Sequence, residues 1–188
     1  MMFGTNTDAA LIVNRIPFGS TGVEIGVWKG HGSKLFLRRA GRLHMVDPWS
    51  VEPYKQSSDF GGYEAYLKRY QKLVGSCEPA KFQQFYDRIF CEVVKRFRYD
   101  PVIIHRCTST EFFAKFNTAV DWVYVDGLHS FDDCLLDLMG AEGIVKPGGS
   151  IFGDDYGNKE GVTKAVDRFA DLSGLPVDHI GNQYEIKT

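Results

Sequence analysis

Three carboxylates and one histidine have the types and spacing to do chemistry together. Asp126 opens the run Asp126-Gly127-Leu128-His129-Ser130, and Asp154-Asp155 ends Ser150-Ile151-Phe152-Gly153-Asp154-Asp155, 28 and 29 positions later. Carboxylates that converge without a nearby Lys or Arg repel one another, and a hard divalent cation is the simplest relief. Mg²⁺ prefers oxygen ligands and keeps open positions, so Asp126, Asp154 and Asp155 are candidates to surround such a cation. A hydroxyl bound there is acidified and aimed at an electrophile, and a base must take its proton. His129 follows Asp126 by three residues and suits that base, since Mg²⁺ needs no soft nitrogen ligand. Taken in isolation, Asp126 as a loop cap and Asp154-Asp155 as a solvated turn is the favoured reading, and it is the matching strand ends, together with a resemblance carried by motifs along the chain, that reverse it. His31, His44, His105 and His179 are scattered along the chain and receive no role.

Such a cluster needs strands whose ends meet on one edge. Short apolar runs predict strands at 22–26, 43–47, 101–105 and 121–126, and another from 150 after the turn-former Lys146-Pro147-Gly148-Gly149. Helical spacing predicts helices at 33–39, 63–73, 81–97, 110–116, 132–144 and 161–170. Phe82, Phe85, Ile89, Val93 and Val94 are expected on one apolar face, and Cys134, Leu135, Leu138 and Met139 on another. The runs 176–180 and 183–187, joined by Gly181-Asn182, read as a C-terminal antiparallel hairpin. This alternation argues an α/β sandwich with a mostly parallel central sheet, whose ligands bind beyond the carboxyl ends of the strands. Glu24 with Gly26, Asp47, Asp126 and Asp154-Asp155 all fall at such ends.

The 188 residues are 44% hydrophobic and 24% charged with a net charge of −2. They are read as one domain spanning 1–188, with a core large enough to need no disulfide staples. This balance gives no basic face for nucleic acid. Cys77, Cys91, Cys107 and Cys134 are never closer than 14 positions, which excludes a zinc or redox pair and leaves reduced structural thiols. No basic-then-apolar leader opens the chain, and no apolar run reaches the about 18–20 residues of a membrane span. A cytoplasmic location away from membranes is the expectation.

The stretch Val23-Glu24-Ile25-Gly26-Val27-Trp28-Lys29-Gly30-His31-Gly32-Ser33 reads as strand, glycine turn and helix start. Gly26 and Gly30 allow close backbone approach to a ligand, and the helix start offers free N–H donors. A dinucleotide fold would want GxGxxG, which is absent, so a nicotinamide oxidoreductase is disfavoured. Glu24 would repel a pyrophosphate but welcome an ammonium group, and Asp47, 21 positions after Gly26, is placed to accept from ribose hydroxyls. A ligand with an amine and a ribose but no phosphate fits S-adenosylmethionine.

The motifs ExGxxxGxxS, VDPW, VDGLHS, VKPGGSIFGDDY and GVTKAVDRF resemble those of class I S-adenosylmethionine-dependent methyltransferases. The resemblance runs from about residue 22 to 169. It is closest to the small metal-dependent O-methyltransferase branch with the macrocin-type sugar O-methyltransferases, and more distantly catechol O-methyltransferase. It implies a Rossmann-like three-layer sandwich and a Mg²⁺-dependent O-methyl transfer to a small-molecule hydroxyl, on a sugar or polyhydroxylated metabolite. It further implies cofactor contacts from Glu24, Gly26, Gly30, Ser33, Asp47, Ser109 and Asp126, metal on Asp126, Asp154 and Asp155, and His129 as base. In the chain's departure from its relatives, Thr108 stands near the place of an acidic adenine partner, which shifts adenine recognition towards backbone groups and Ser109. The stretch 48–100, with Trp49, Tyr54, Phe60, Tyr63, Tyr66 and Tyr70, is expected to be a helical, substrate-selecting insertion, a task that longer relatives give to N-terminal domains or lids. A metal-independent methyltransferase, a non-catalytic S-adenosylmethionine-binding subunit and a homo-oligomer stay open.

Overall fold

The computed structural model describes residues 9–188, so positions 1–8 of the stretch read for a leader lie outside the described residues. Seven strands form one sheet in the order β3-β2-β1-β4-β5-β7-β6. They are β1 (Thr21–Ile25), β2 (Arg42–Val46), β3 (Val102–His105), β4 (Val120–Val125), β5 (Val145–Gly153), β6 (Val177–Ile180) and β7 (Gln183–Lys187). The sheet is parallel from β3 to β5, and β7 runs antiparallel between β5 and β6. The helices are α1 (Ala10–Val13), α2 (His31–Phe36), α3 (Tyr63–Val74), α4 (Pro79–Arg96), α5 (Ser109–Phe113), α6 (Phe131–Glu142) and α7 (Glu160–Ser173). Two 3₁₀ turns, Glu52–Lys55 and Asp59–Gly61, precede α3. This is the Rossmann-like α/β sandwich expected from the sequence.

Strand alternation divides the core into two layers. Trp122, Tyr124 and Phe152 point into the layer shared with α1 to α4, whereas Val123, Val125 and Ile151 point to α5, α6 and α7. Both faces of the sheet are covered, which explains why its central strands carry near-continuous apolar runs. Phe36 and Phe152 are wholly buried, and side chains of this size stabilise the fold by about 2–3 kcal/mol each through removal of apolar surface from water.

Three expectations are corrected. Lys146-Pro147-Gly148-Gly149 does not stop the chain ahead of the strand but lies within β5. Val145 pairs with Val120, the Gly148 N–H donates to the Thr188 carbonyl at 2.7 Å, and a register shift between Val120 and Trp122 absorbs the irregularity. In α4 the buried face is Phe82, Tyr86, Ile89 and Val93, a 4-3-4 spacing that leaves Phe85 half-buried and Val94 exposed. In α6 it is Cys134, Asp137, Leu138 and Ala141, so a carboxylate occupies a core position while Met139 faces solvent. Pro79 at the start of α4 and Lys95 and Arg96 in its last turn suit the helix polarity at both ends.

The order of strands reverses between β1 and β4, the place where open sheets of this kind form a ligand crevice. The helical segment of α3 and α4 is inserted between β2 and β3, beside that crevice.

Candidate active site

Register sets the site. Ile25 pairs with both Val46 and Val125, and Val125 pairs with Gly153, so the residues that follow, Gly26, Asp47, Asp126 and Asp154, stand abreast on one edge. Gly26 has φ 87°, and a Cβ there would lie 1.8 Å from the Asp126 carbonyl oxygen. Only glycine lets the ends of β1 and β4 approach this closely. A cleft of about 640 Å³ opens over the edge. Gly26, Asp47, Ser109, Asp126 and His129 line its sheet side, and Tyr54, Phe60, Tyr66, Tyr70, Phe82 and Tyr86 its other side.

Asp47 organises two loops at once. Its carboxylate accepts from the Trp28 N–H at 2.9 Å and the Trp49 N–H at 2.7 Å, and the Trp49 indole donates to the Trp28 carbonyl at 2.8 Å. These bonds hold both tryptophans in the left-handed region, at φ 53° and 40°, a conformation that bulky residues adopt only when their surroundings impose it. Burial raises the Asp47 pKa to about 6 against the opposing pull of those backbone donors. Its place on the cleft wall fits an acceptor for ribose hydroxyls.

Glu24, Gly30 and Ser33 sit beneath the loop and are not among the residues lining the cleft. Glu24 is buried and accepts from the Ser33 hydroxyl, and burial raises its pKa to about 8 despite that bond. A Cβ on Gly30 would meet the Phe97 ring at 2.5 Å, so this glycine admits α4 against the loop. Ser109 lines the cleft, and its hydroxyl bonds Asp137, whose pKa burial raises to about 7. Asp137 was missed from sequence, although its place on the apolar face of α6 was a signal. Thr108 caps α5 in a reciprocal pair with Glu111.

The structure brings Asp126, His129 and Asp155 together, with one ligand atom from each lying within 4.8 Å of the others. His129 Nε2 is 3.2 Å from Asp155 and 3.8 Å from Asp126. Asp154 turns elsewhere: its Oδ1 accepts from Asn182 Nδ2 at 2.7 Å, from the Asp155 N–H at 2.7 Å and from the Gln183 side-chain amide. Adjacent residues diverge because Asp155 is left-handed, at φ 64°, an unusual conformation that points to a functional constraint. Gly153 precedes them because Tyr184 fills the space a Cβ would take, its hydroxyl oxygen at 2.2 Å.

His129 also meets Asp59, which the sequence did not single out. Asp59 Oδ2 accepts from the His129 backbone N–H at 3.1 Å and lies 3.0 Å from Nδ1. Burial disfavours the imidazolium, but hydrogen bonds to Asp126, Asp155 and Asp59 outweigh it and push the His129 pKa up to about 12. Burial likewise raises the Asp126 pKa, opposed by His129. Two carboxylates and an imidazole at these separations are a donor set that a divalent cation can use.

The chain matches the model of the methyltransferase domain family over residues 23–156 and belongs to that family. It carries a methyltransferase domain. No curated protein matches it in sequence. Among solved structures, it is similar to fibrillarin from Aeropyrum pernix with natively bound S-adenosyl-L-methionine, at TM-score 0.59, 12% identity, 96% of this chain and 73% of that one. The O-methyltransferase NovP aligns at TM-score 0.59 and 16% identity over 96% of this chain and 78% of its own. Trm5b from Pyrococcus abyssi aligns at TM-score 0.53 and 14% identity over 96% of this chain, which spans 46% of Trm5b. At these identities the likeness is one of fold. Among the described residues no helix is long and apolar enough to cross a membrane.

Proposed function

We propose that this methyltransferase is an O-methyltransferase of the metal-dependent branch, acting on a hydroxyl of a small molecule such as a sugar or polyhydroxylated metabolite. The observation that carries the reading is the gathering of Asp126, His129 and Asp155 at the strand-end edge of the cleft. Gly26, Asp47, Ser109 and Asp126 would hold the cofactor, and Glu24, Gly30 and Ser33 would shape the loop beneath it. Asp126 and Asp155 would hold Mg²⁺, with Asp154 supporting the turn through its amide partners. Mg²⁺ in that position would supply positive charge among the carboxylates and acidify an acceptor hydroxyl.

The chain's own residues account for the rest. Asp126 orients the acceptor side of the cleft. The carboxylates around His129 hold it protonated, so it would receive the hydroxyl proton at Nε2 only where a cation takes up the charge of Asp126 and Asp155 and frees that nitrogen. The attacking oxygen displaces the sulfonium sulfur as its bond to the methyl carbon forms, leaving S-adenosylhomocysteine and the methyl ether. The aromatic wall from the 48–100 insertion excludes water and selects the acceptor. Methyl transfer from labelled S-adenosylmethionine to a panel of hydroxyl compounds, with and without Mg²⁺, is the test. Mg²⁺-dependent ether formation supports the reading, and transfer only to nitrogen or carbon acceptors refutes it.

A second reading is metal-independent transfer, favoured by the protein partners that already surround Asp154 and His129. Turnover that survives EDTA and Asp155→Ala selects it.

A further inference from the structure

We propose that Asp59, carried on the acceptor-side insertion, is the positioning residue of His129: it holds the ring by Nδ1 and aims Nε2 at the Asp126–Asp155 edge. The proposal rests on the reading of His129 as the base.

Both donors of His129 on that side converge on one oxygen. Asp59 Oδ2 lies 3.1 Å from the backbone nitrogen and 3.0 Å from Nδ1. An ionised carboxylate can only accept, so Nδ1 carries a proton and Nε2 is the ring nitrogen left to face the cluster. Asp59 Oδ1 takes the Phe60 N–H at 2.8 Å, which leaves the carboxylate little freedom to rotate. Its side chain is only 8% exposed, and the hydrogen bonds of His129 hold its pKa below the ordinary value although burial works against them. Asp59 is therefore an ionised acceptor placed out of competition with water.

The turn that presents Asp59 has the marks of a built device. Phe60 is left-handed at φ 58°, a costly conformation for an aromatic residue. The ring lies against the Arg69 guanidinium, 5.3 Å from its centroid, the Lys159 ammonium at 5.7 Å and the near-perpendicular His129 ring, at 6.1 Å between centroids. Ser57 adds a second tie across the same gap, donating to Asp133 at 2.6 Å. Phe60 and His129 both line the cleft. The segment that shapes the acceptor wall is thus the segment that orients the base, and an acceptor that disturbs the 57–60 turn will disturb the base with it.

Pairs in which a carboxylate orients a functional histidine typically lose about 10–100-fold when the carboxylate is removed. Asp59→Ala is expected to lower kcat by about that factor while KM for S-adenosylmethionine changes less than about twofold, and Asp59→Asn, which keeps one acceptor oxygen, is expected to recover part of the loss. A merely structural role would instead move the melting temperature and both KM values together. A second readout needs no turnover. Nitrogen-15 labelling of the five histidines, with His129→Gln for assignment, should show a downfield, slowly exchanging Nδ1–H of His129 that disappears in Asp59→Ala. Persistence of that resonance in Asp59→Ala, or its loss with kcat unchanged, overturns the proposal. If the wild-type protein transfers no methyl group to any hydroxyl, the functional reading fails, while the resonance still decides whether Asp59 holds the ring.

Discussion

The two walls of the cleft are made differently. On the sheet side, Gly26, Asp47, Asp126 and Asp154 follow paired strand residues, and backbone register alone puts them abreast. On the insertion side, Tyr54, Phe60, Tyr66 and Tyr70 lie on turns and a helix, and they find their places by packing ring on ring. Tyr54 stacks on Tyr66 at 3.8 Å between centroids, Phe60 meets Tyr70 edge-on at 5.5 Å, and the Tyr66 and Tyr86 hydroxyls bond each other. Charge is concentrated on the first wall and apolar surface on the second. A wall set by hydrogen-bonded register holds reacting groups with little tolerance, whereas a packed aromatic wall can change its residues and keep its volume. Under the proposed function, the reaction accordingly falls to the sheet wall and the choice of acceptor to the insertion.

Substitutions on the two walls should separate on that basis. Asp126→Ala, which removes the carboxylate at the centre of the sheet wall and with it a holder of the proposed cation, is expected to lower kcat by about 10²–10³-fold for every acceptor, the loss typical of a preorganised electrostatic group in an active site. Single-turnover transfer of labelled methyl measures it, and equal loss from any aromatic substitution would dissolve the contrast. Chelation is expected to come next: EDTA should cut turnover by about 10²-fold, with Mg²⁺ restoring it, in line with the several kcal/mol a Lewis acid supplies. Tyr70→Ala on the other wall should raise KM for the acceptor about tenfold, the cost of one lost apolar contact surface of 1–2 kcal/mol, and leave cofactor affinity alone. Calorimetry with S-adenosylhomocysteine checks the second half of that statement.

The smallest expected effect is on pH. Asp47 has its pKa raised to about 6, so it is ionised above that value and protonates as pH falls through it. An ionised carboxylate is the stronger acceptor for a ribose hydroxyl, so affinity for S-adenosylhomocysteine should weaken a few-fold, about three- to tenfold, between pH 7 and pH 5. Asp47→Asn should bind more weakly at pH 7 and show a flat profile. A wild-type profile as flat as that of the variant would remove Asp47 from the cofactor wall.

The same contrast explains what could be read from the chain. Strand ends were legible because short apolar runs stop at Gly26, Asp47 and Asp126, and parallel sheets gather such ends on one edge. Register could not say how neighbours on that edge would turn. Asp154 and Asp155 looked equivalent, and only the left-handed backbone of Asp155 and the amides of Asn182 and Gln183 separate them. Glu24 looked like a ligand contact, but a carboxylate one residue before a strand end points into the sheet layer, where Ser33 meets it. Asp59 was invisible for a different reason: it lies 70 positions from His129, in a turn whose shape depends on a strained phenylalanine and two cations from elsewhere in the chain. The identities of the buried rings in α4 were misjudged by one position, from Phe85 to Tyr86, because both fit a helical stripe and packing alone chooses between them.

The central claim is that the sheet wall holds a cation beside the base. A crystal of the protein grown with S-adenosylhomocysteine and Mn²⁺, with anomalous data collected at the manganese edge, tests it most directly. The account predicts one anomalous peak coordinated by Asp126 and Asp155 and facing the cleft, with His129 Nδ1 still on Asp59. Clear S-adenosylhomocysteine density over Gly26 and Asp47 with no peak between those carboxylates would contradict it.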